Sequence, residues 1–149
     1  VSFDRRAVLC LGNRFRGDDA FGLLVADRLR ESSVPVLECA DEPTRLLDSW
    51  SALELLVIVD AARSGMAAGT VRRIELGEGR AFAGLGLTSS HAFGIEETLE
   101  VARELGRLPR RVVLYAVEAE ELSTGGALTP AVAAAVGPVA RSVRAELEA

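Results

Sequence analysis

The chain has 149 residues, 49% of them apolar, and a formal net charge of −5. That length suits one domain, 1–149, with a core burying roughly two-thirds of the unfolded surface. Acids and bases are interspersed with no basic stripe, which argues against nucleic acid and anionic membrane partners, and the longest apolar run, Leu53 to Ala62 broken by Glu54 and Asp60, is too short to span a bilayer.

Ala7 to Leu11 is a continuous apolar run closed by Gly12-Asn13, the mark of a buried central strand ending in a turn. From Asp19, apolar residues Phe21, Leu24, Val25, Ala26 and Leu29 recur at helical spacing, with Asp27, Arg28, Arg30 and Glu31 on the other side. Pro35 to Leu37 reads as a short strand, Thr44 to Trp50 as a short helix, and Leu55 to Val59 as a second buried strand stopping at Asp60. Thr70 to Leu76 alternates apolar with charged residues and suits a more exposed strand. A Gly- and Ala-rich loop from Gly77 to Ser89 precedes a helix from Ala92 to Leu105, which Ser89 or Ser90 is placed to cap. Arg111 to Val117 is the last strand. Thr129-Pro130 reads as an N-cap and first-turn pair for a terminal helix to about Glu148, which Gly137-Pro138 is expected to kink or interrupt. Alternating strands and helices predict an α/β/α sandwich around a mostly parallel sheet.

In such a sheet, residues just past the carboxyl ends of neighbouring strands converge on one crevice. Asp18-Asp19 follows the first strand, Asp60 the middle one, and His91, the only histidine, precedes a helix. Two acids and one imidazole make a hard, open ligand set for a metal ion. Each also has a plainer reading. Asp18 and Asp19 suit a helix start as caps, one capping while the other faces the crevice; Asp60 needs a turn donor, an arginine such as Arg63, or a metal; and a lone histidine is often structural. The helix dipole at His91 disfavours the imidazolium and keeps a nitrogen lone pair available. Cys10 and Cys39 form no disulfide framework or zinc knuckle and read as small buried hydrophobes. Gly12 to Gly22 joins a strand to a helix as a dinucleotide loop does, but its spread glycines and paired acids would repel a pyrophosphate. No Gly-x-Ser-x-Gly elbow or His-Glu-x-x-His helix is present, so a hydrolase here must work with carboxylates, one histidine and an ion. The opening Val-Ser-Phe-Asp-Arg-Arg has no apolar signal core, and a cytoplasmic location is expected.

Taken together, Gly12-Asn13, Gly17-Asp18-Asp19, Gly22, Val59-Asp60-Ala61, Ser90-His91 and Gly126-Ala127-Leu128-Thr129-Pro130 resemble the hydrogenase maturation proteases. That resemblance implies a five-stranded, largely parallel sheet and an endopeptidase that trims the C-terminal extension from a nickel-loaded [NiFe]-hydrogenase large-subunit precursor. It also implies that Asp19, Asp60 and His91 are both the metal ligands and the catalytic residues. Nickel would arrive with the substrate, no organic cofactor is implied, and the partner would be the precursor. One departure stands out: where the family carries an acid followed by two glycines and a threonine, this chain reads Glu38-Cys39-Ala40-Asp41, with less backbone freedom beside the cleft. A non-catalytic nickel- or precursor-binding maturation chaperone of the same fold is the alternative, and a flavodoxin-like nucleotide-binding module a more distant one.

Overall fold

Two continuous apolar runs do form buried central strands, because only a strand covered on both faces can hide every side chain of such a run. In the computed structural model, which describes residues 5–39, 50, 52–76, 95–122 and 125–149, these are β1 (Arg6–Leu11) and β3 (Leu55–Ala62). With β2 (Val36–Cys39), β4 (Val71–Leu76) and β5 (Arg111–Glu118) they build one sheet in the order β2-β1-β3-β5-β4. All pairings are parallel except that of the edge strand β4 with β5. The charged alternation of β4 fits an edge, where one face stays wet.

Period-two alternation sorts the core into two halves. Val8, Cys10, Val57, Val59, Val113 and Tyr115 pack with helix α1 (Phe21–Leu29) and helix α3 (Pro130–Glu148). Leu9, Leu11, Leu56, Ile58 and Leu114 pack on the opposite side with Trp50 and with Leu99 and Ala102 of helix α2 (Ile95–Glu104). The result is the expected three-layer α/β/α arrangement. The segment expected as a helix from Thr44 to Trp50 lies, apart from Trp50, outside the described residues, as do the loop from Gly77 to Ser89 and the start of the helix after His91.

Two expectations change. β3 runs three residues beyond Val59, so Asp60 stands inside the strand, paired with Ala116 of β5, rather than after it; the small residues Ala61 and Ala62 let the ladder continue. Helix α3 also continues through Gly137-Pro138. Pro138 is exposed, while Val132, Ala135, Val136, Val139, Ala140, Val143 and Leu147 are buried, and packing of that stripe outweighs one missing backbone bond.

The start of α1 is clamped against the sheet. A Cβ on Gly22 would lie 2.2 Å from the carbonyl oxygen of Leu11 and 3.0 Å from that of Val59. Neither backbone atom can retreat without opening the β1–β3 pairing. Gly22→Ala is therefore expected to cost about 3 kcal/mol and lower Tm by roughly 10 °C; a thermal melt within about 2 °C of wild type would mean that helix and sheet do not meet this closely.

Candidate functional site

The β1–α1 connection folds tightly because Asn13 serves it as a hub. Its side-chain Oδ1 accepts from the Phe15 amide at 2.9 Å, its carbonyl from the Arg16 amide at 3.2 Å, and its own amide donates to the Asp19 carbonyl at 3.0 Å. Such an Asx turn is a short-range device that asparagine supplies and most residues do not. The Asp19 amide in turn donates to the Arg16 carbonyl at 3.0 Å, closing the loop into a 3₁₀ turn over Gly17–Ala20 that leads into α1. Gly12 admits this closure, since a Cβ there would sit 2.2 Å from the Asp19 carbonyl oxygen.

Asp18 and Asp19 do not cap the helix that follows them; neither the 3₁₀ turn nor α1 has a side-chain cap. Asp18 instead reaches across the molecule. Its Oδ2 accepts from the amides of Glu120 and Glu121 at 2.8 and 2.9 Å, and its Oδ1 from the amide of Thr129 at 2.7 Å. The Thr129 hydroxyl lies 3.0 and 2.9 Å from the two oxygens. Burial works against the charge of this wholly buried carboxyl, but those donors outweigh it and hold Asp18 below the usual carboxylate range. Thr129 is the N-cap residue of α3 and Pro130 stands in its first turn, as expected, but the Thr129 hydroxyl is committed to Asp18 and makes no cap bond to its own helix.

Asp19 is equally buried, yet among the described residues its Oδ1 has no hydrogen-bond partner. A buried acceptor left open costs stability and calls for a specific explanation. The 3₁₀ turn that carries Asp19 touches β3, the strand that carries Asp60. Asp60 is 3% exposed, and its Oδ1 accepts from the Ala61 amide at 2.8 Å. By strand alternation with Leu56 and Ile58, Asp60 belongs to the face that α2 covers. Two acids thus stand at the carboxyl edge of neighbouring strands. His91 lies outside the described residues, four positions before α2 begins, and among the described residues no group of three metal-ligating side chains gathers.

A fourth buried acid among the described residues, Glu118, was not anticipated. It ends β5 and accepts from the amide and hydroxyl of Ser64 at 3.0 and 2.5 Å. Burial disfavours its charge, but the Ser64 donors and the amides of Gly65 and Met66 hold it below the usual carboxylate range. It secures the turn after β3, and its register opposite Ala62 is the sort of signal only the paired sheet reveals. Arg63, weighed above as a partner for Asp60, donates to the Glu120 carbonyl at 2.7 Å.

The thiols take no part. Cys10 and Cys39 are buried and unoxidised, and burial pushes the Cys10 thiol up to about 12, so it stays protonated. Glu38, the acid retained in the divergent Glu38-Cys39 segment, stands opposite Cys10 on β2 and so on the α1 side of the sheet, away from the face of Asp60. It pairs with Arg30 and, at 3.4 Å, with Arg14, whose guanidinium also forks onto Asp27 at 2.9 Å. With Asn13, Arg14, Phe15 and Leu23 it lines an open cleft of about 460 Å³ beside the loop. Ala40 and Asp41 lie outside the described residues.

Against known proteins, the hydrogenase maturation protease family (HycI) matches residues 23–146, a span that contains Asp60 and His91 and begins just after Asp19. The hydrogenase expression/formation protein HupD of Thiocapsa roseopersicina is 31% identical over 137 residues, covering 88% of this chain; the chain spans 62% of the length of that relative. Among solved structures, the hydrogenase maturating endopeptidase HybD from E. coli superposes with a TM-score of 0.82 at 28% identity, covering 97% of this chain and 92% of its own. The [NiFe] hydrogenase maturation protease HybD from Thermococcus kodakarensis gives 0.82 at 27%, covering 96% and 99%. With a fold shared along nearly the whole chain and a family match through the middle strand, the histidine and the last helix, this chain belongs to the hydrogenase maturation protease family.

Proposed function

We propose that this chain is an endopeptidase that removes the C-terminal extension from a nickel-loaded [NiFe]-hydrogenase large-subunit precursor, acting as one domain in the cytoplasm. The observation that carries the reading is the open, buried Oδ1 of Asp19 at the sheet edge it shares with Asp60. Asp18 and Glu118, the two other buried acids of that edge, are saturated by amide and hydroxyl donors, so the edge keeps one carboxylate oxygen in reserve.

Nickel enters as part of the substrate. Asp19, Asp60 and His91 would hold it through oxygen and nitrogen and contribute no thiolate, a set that binds free nickel modestly and leaves coordination positions to the precursor. As a Lewis acid the ion supplies positive charge beside the scissile peptide. The protein's own part is to present two preorganised acids in a site from which water is largely excluded. The ion then reports that the precursor has been loaded.

Incubating the protein with nickel-loaded and nickel-free precursor tests this. Only the loaded chain is expected to be shortened, and its affinity is expected to exceed that of the empty one on the order of a hundredfold, the equivalent of about 3 kcal/mol of shared metal bonding. Equal cleavage of both would remove nickel from the reading. Discrimination without cleavage would identify a binding chaperone of the same fold.

A further inference from the structure

We propose that Asp18 is a positioning residue for Asp19, a buried clasp through which the segment after β5 and the start of α3 set the aim of the neighbouring acid; this rests on the metal-site reading above. Asp18 is bound on every side that matters. Its amide donates to the Glu121 carbonyl at 2.7 Å, while its carboxylate accepts from the amides of Glu120, Glu121 and Thr129. Backbone and side chain therefore grip the same distant strip of chain.

The next residue inherits that constraint. Asp18 and Asp19 are joined by one planar peptide inside a four-residue 3₁₀ turn, so fixing Asp18 leaves only two soft dihedrals at Asp19. Those are held by the bonds from the Asp19 amide to Arg16 and from Asn13 to the Asp19 carbonyl. With both of its oxygens engaged, Asp18 has little capacity left for a ligand, and its use is to hold. The arrangement also accounts for the Gly126-Ala127-Leu128-Thr129-Pro130 motif. Pro130 begins α3 without an N–H of its own, and Thr129 at the N-cap donates both its amide and its hydroxyl to Asp18.

The test is the ratio of dissociation constants for nickel-free and nickel-loaded precursor, measured on variants whose melting curves show them folded. Asp18→Asn replaces an acceptor oxygen with a donor facing other donors. It is expected to shrink the ratio roughly tenfold, the low end for groups that orient a metal ligand, and to shrink it no further in an Asp19→Asn background. Affinity for the nickel-free precursor should not change, which a general loss of structure would not spare. Thr129→Val keeps the charge and removes one donor, with a loss of roughly threefold, and carries the test if Asp18→Asn does not fold. A wild-type ratio in either folded variant, or losses from Asp18→Asn and Asp19→Asn that multiply, would overturn the proposal. If Asp19→Asn alone leaves the ratio intact, the metal-site reading itself falls and the clasp with it; if Asp19→Asn collapses the ratio while the other two do not, only the clasp fails.

Discussion

Asp19→Asn is expected to lower cleavage of nickel-loaded precursor about a hundredfold or more while leaving the protein as stable as wild type or up to about 1 kcal/mol more so. The two halves have one cause. The Oδ1 of Asp19 is buried without a described partner, so the folded protein carries a desolvation cost that only an incoming ligand relieves. Neutralising the group removes that cost together with the ligand. Its neighbour should behave in the opposite way: Asp18→Ala strands the amides of Glu120, Glu121 and Thr129 and is expected to lose about 3 kcal/mol of stability. Cleavage rates and thermal melts on the two variants separate the roles. A folded Asp19→Asn protein that cleaves at the wild-type rate would take Asp19 out of the site.

Much of this was legible from pattern. β1 and β3 announced themselves as apolar runs, the charge alternation of Thr70 to Leu76 marked an edge strand, and the order of elements led to the three-layer fold. The family resemblance added the count of five strands. What pattern could not supply was partnership across long separations. Asp18 next to a helix looks like a cap from local sequence, because local sequence contains no trace of amides more than a hundred residues away. Thr129-Pro130 did mark the start of α3, but the hydroxyl serves a distant charged acceptor rather than its own helix. At Pro138 and Asp60 tertiary packing and strand pairing overrode residues that usually end an element.

The two described residues of the divergent segment, Glu38 and Cys39, lie on opposite faces of the sheet. Glu38 stands on the α1 side and is engaged by Arg14 and Arg30, whereas Asp60 stands on the α2 side. Replacing a glycine by Cys39 fills the core against Leu11 and Trp50 and changes packing at the base of the Gly12 loop, whose first amide donates to the Cys39 carbonyl at 3.1 Å. The departure therefore bears on how firmly the loop is held, and Cys39 makes it on the face of the sheet to which Asp60 belongs.

His91→Ala is expected to abolish processing, with a fall of about a hundredfold or more, and to leave the fold intact. Sequence order places His91 just ahead of α2, and α2 packs through Leu99 and Ala102 on the same face of the sheet to which Asp60 belongs. The proposed site takes its nitrogen ligand from His91, so losing it forfeits the shared grip on the ion. Asp60→Asn should match it in activity, with some loss of stability, because the carboxylate also accepts from the Ala61 amide. The two losses should not multiply in the double variant, since ligands of one ion act as a unit and removing either already forfeits the grip. Rates that fall independently and multiply would mean that histidine and aspartate serve separate steps rather than a shared metal, and undiminished cleavage by His91→Ala would leave the two buried acids to do the chemistry alone.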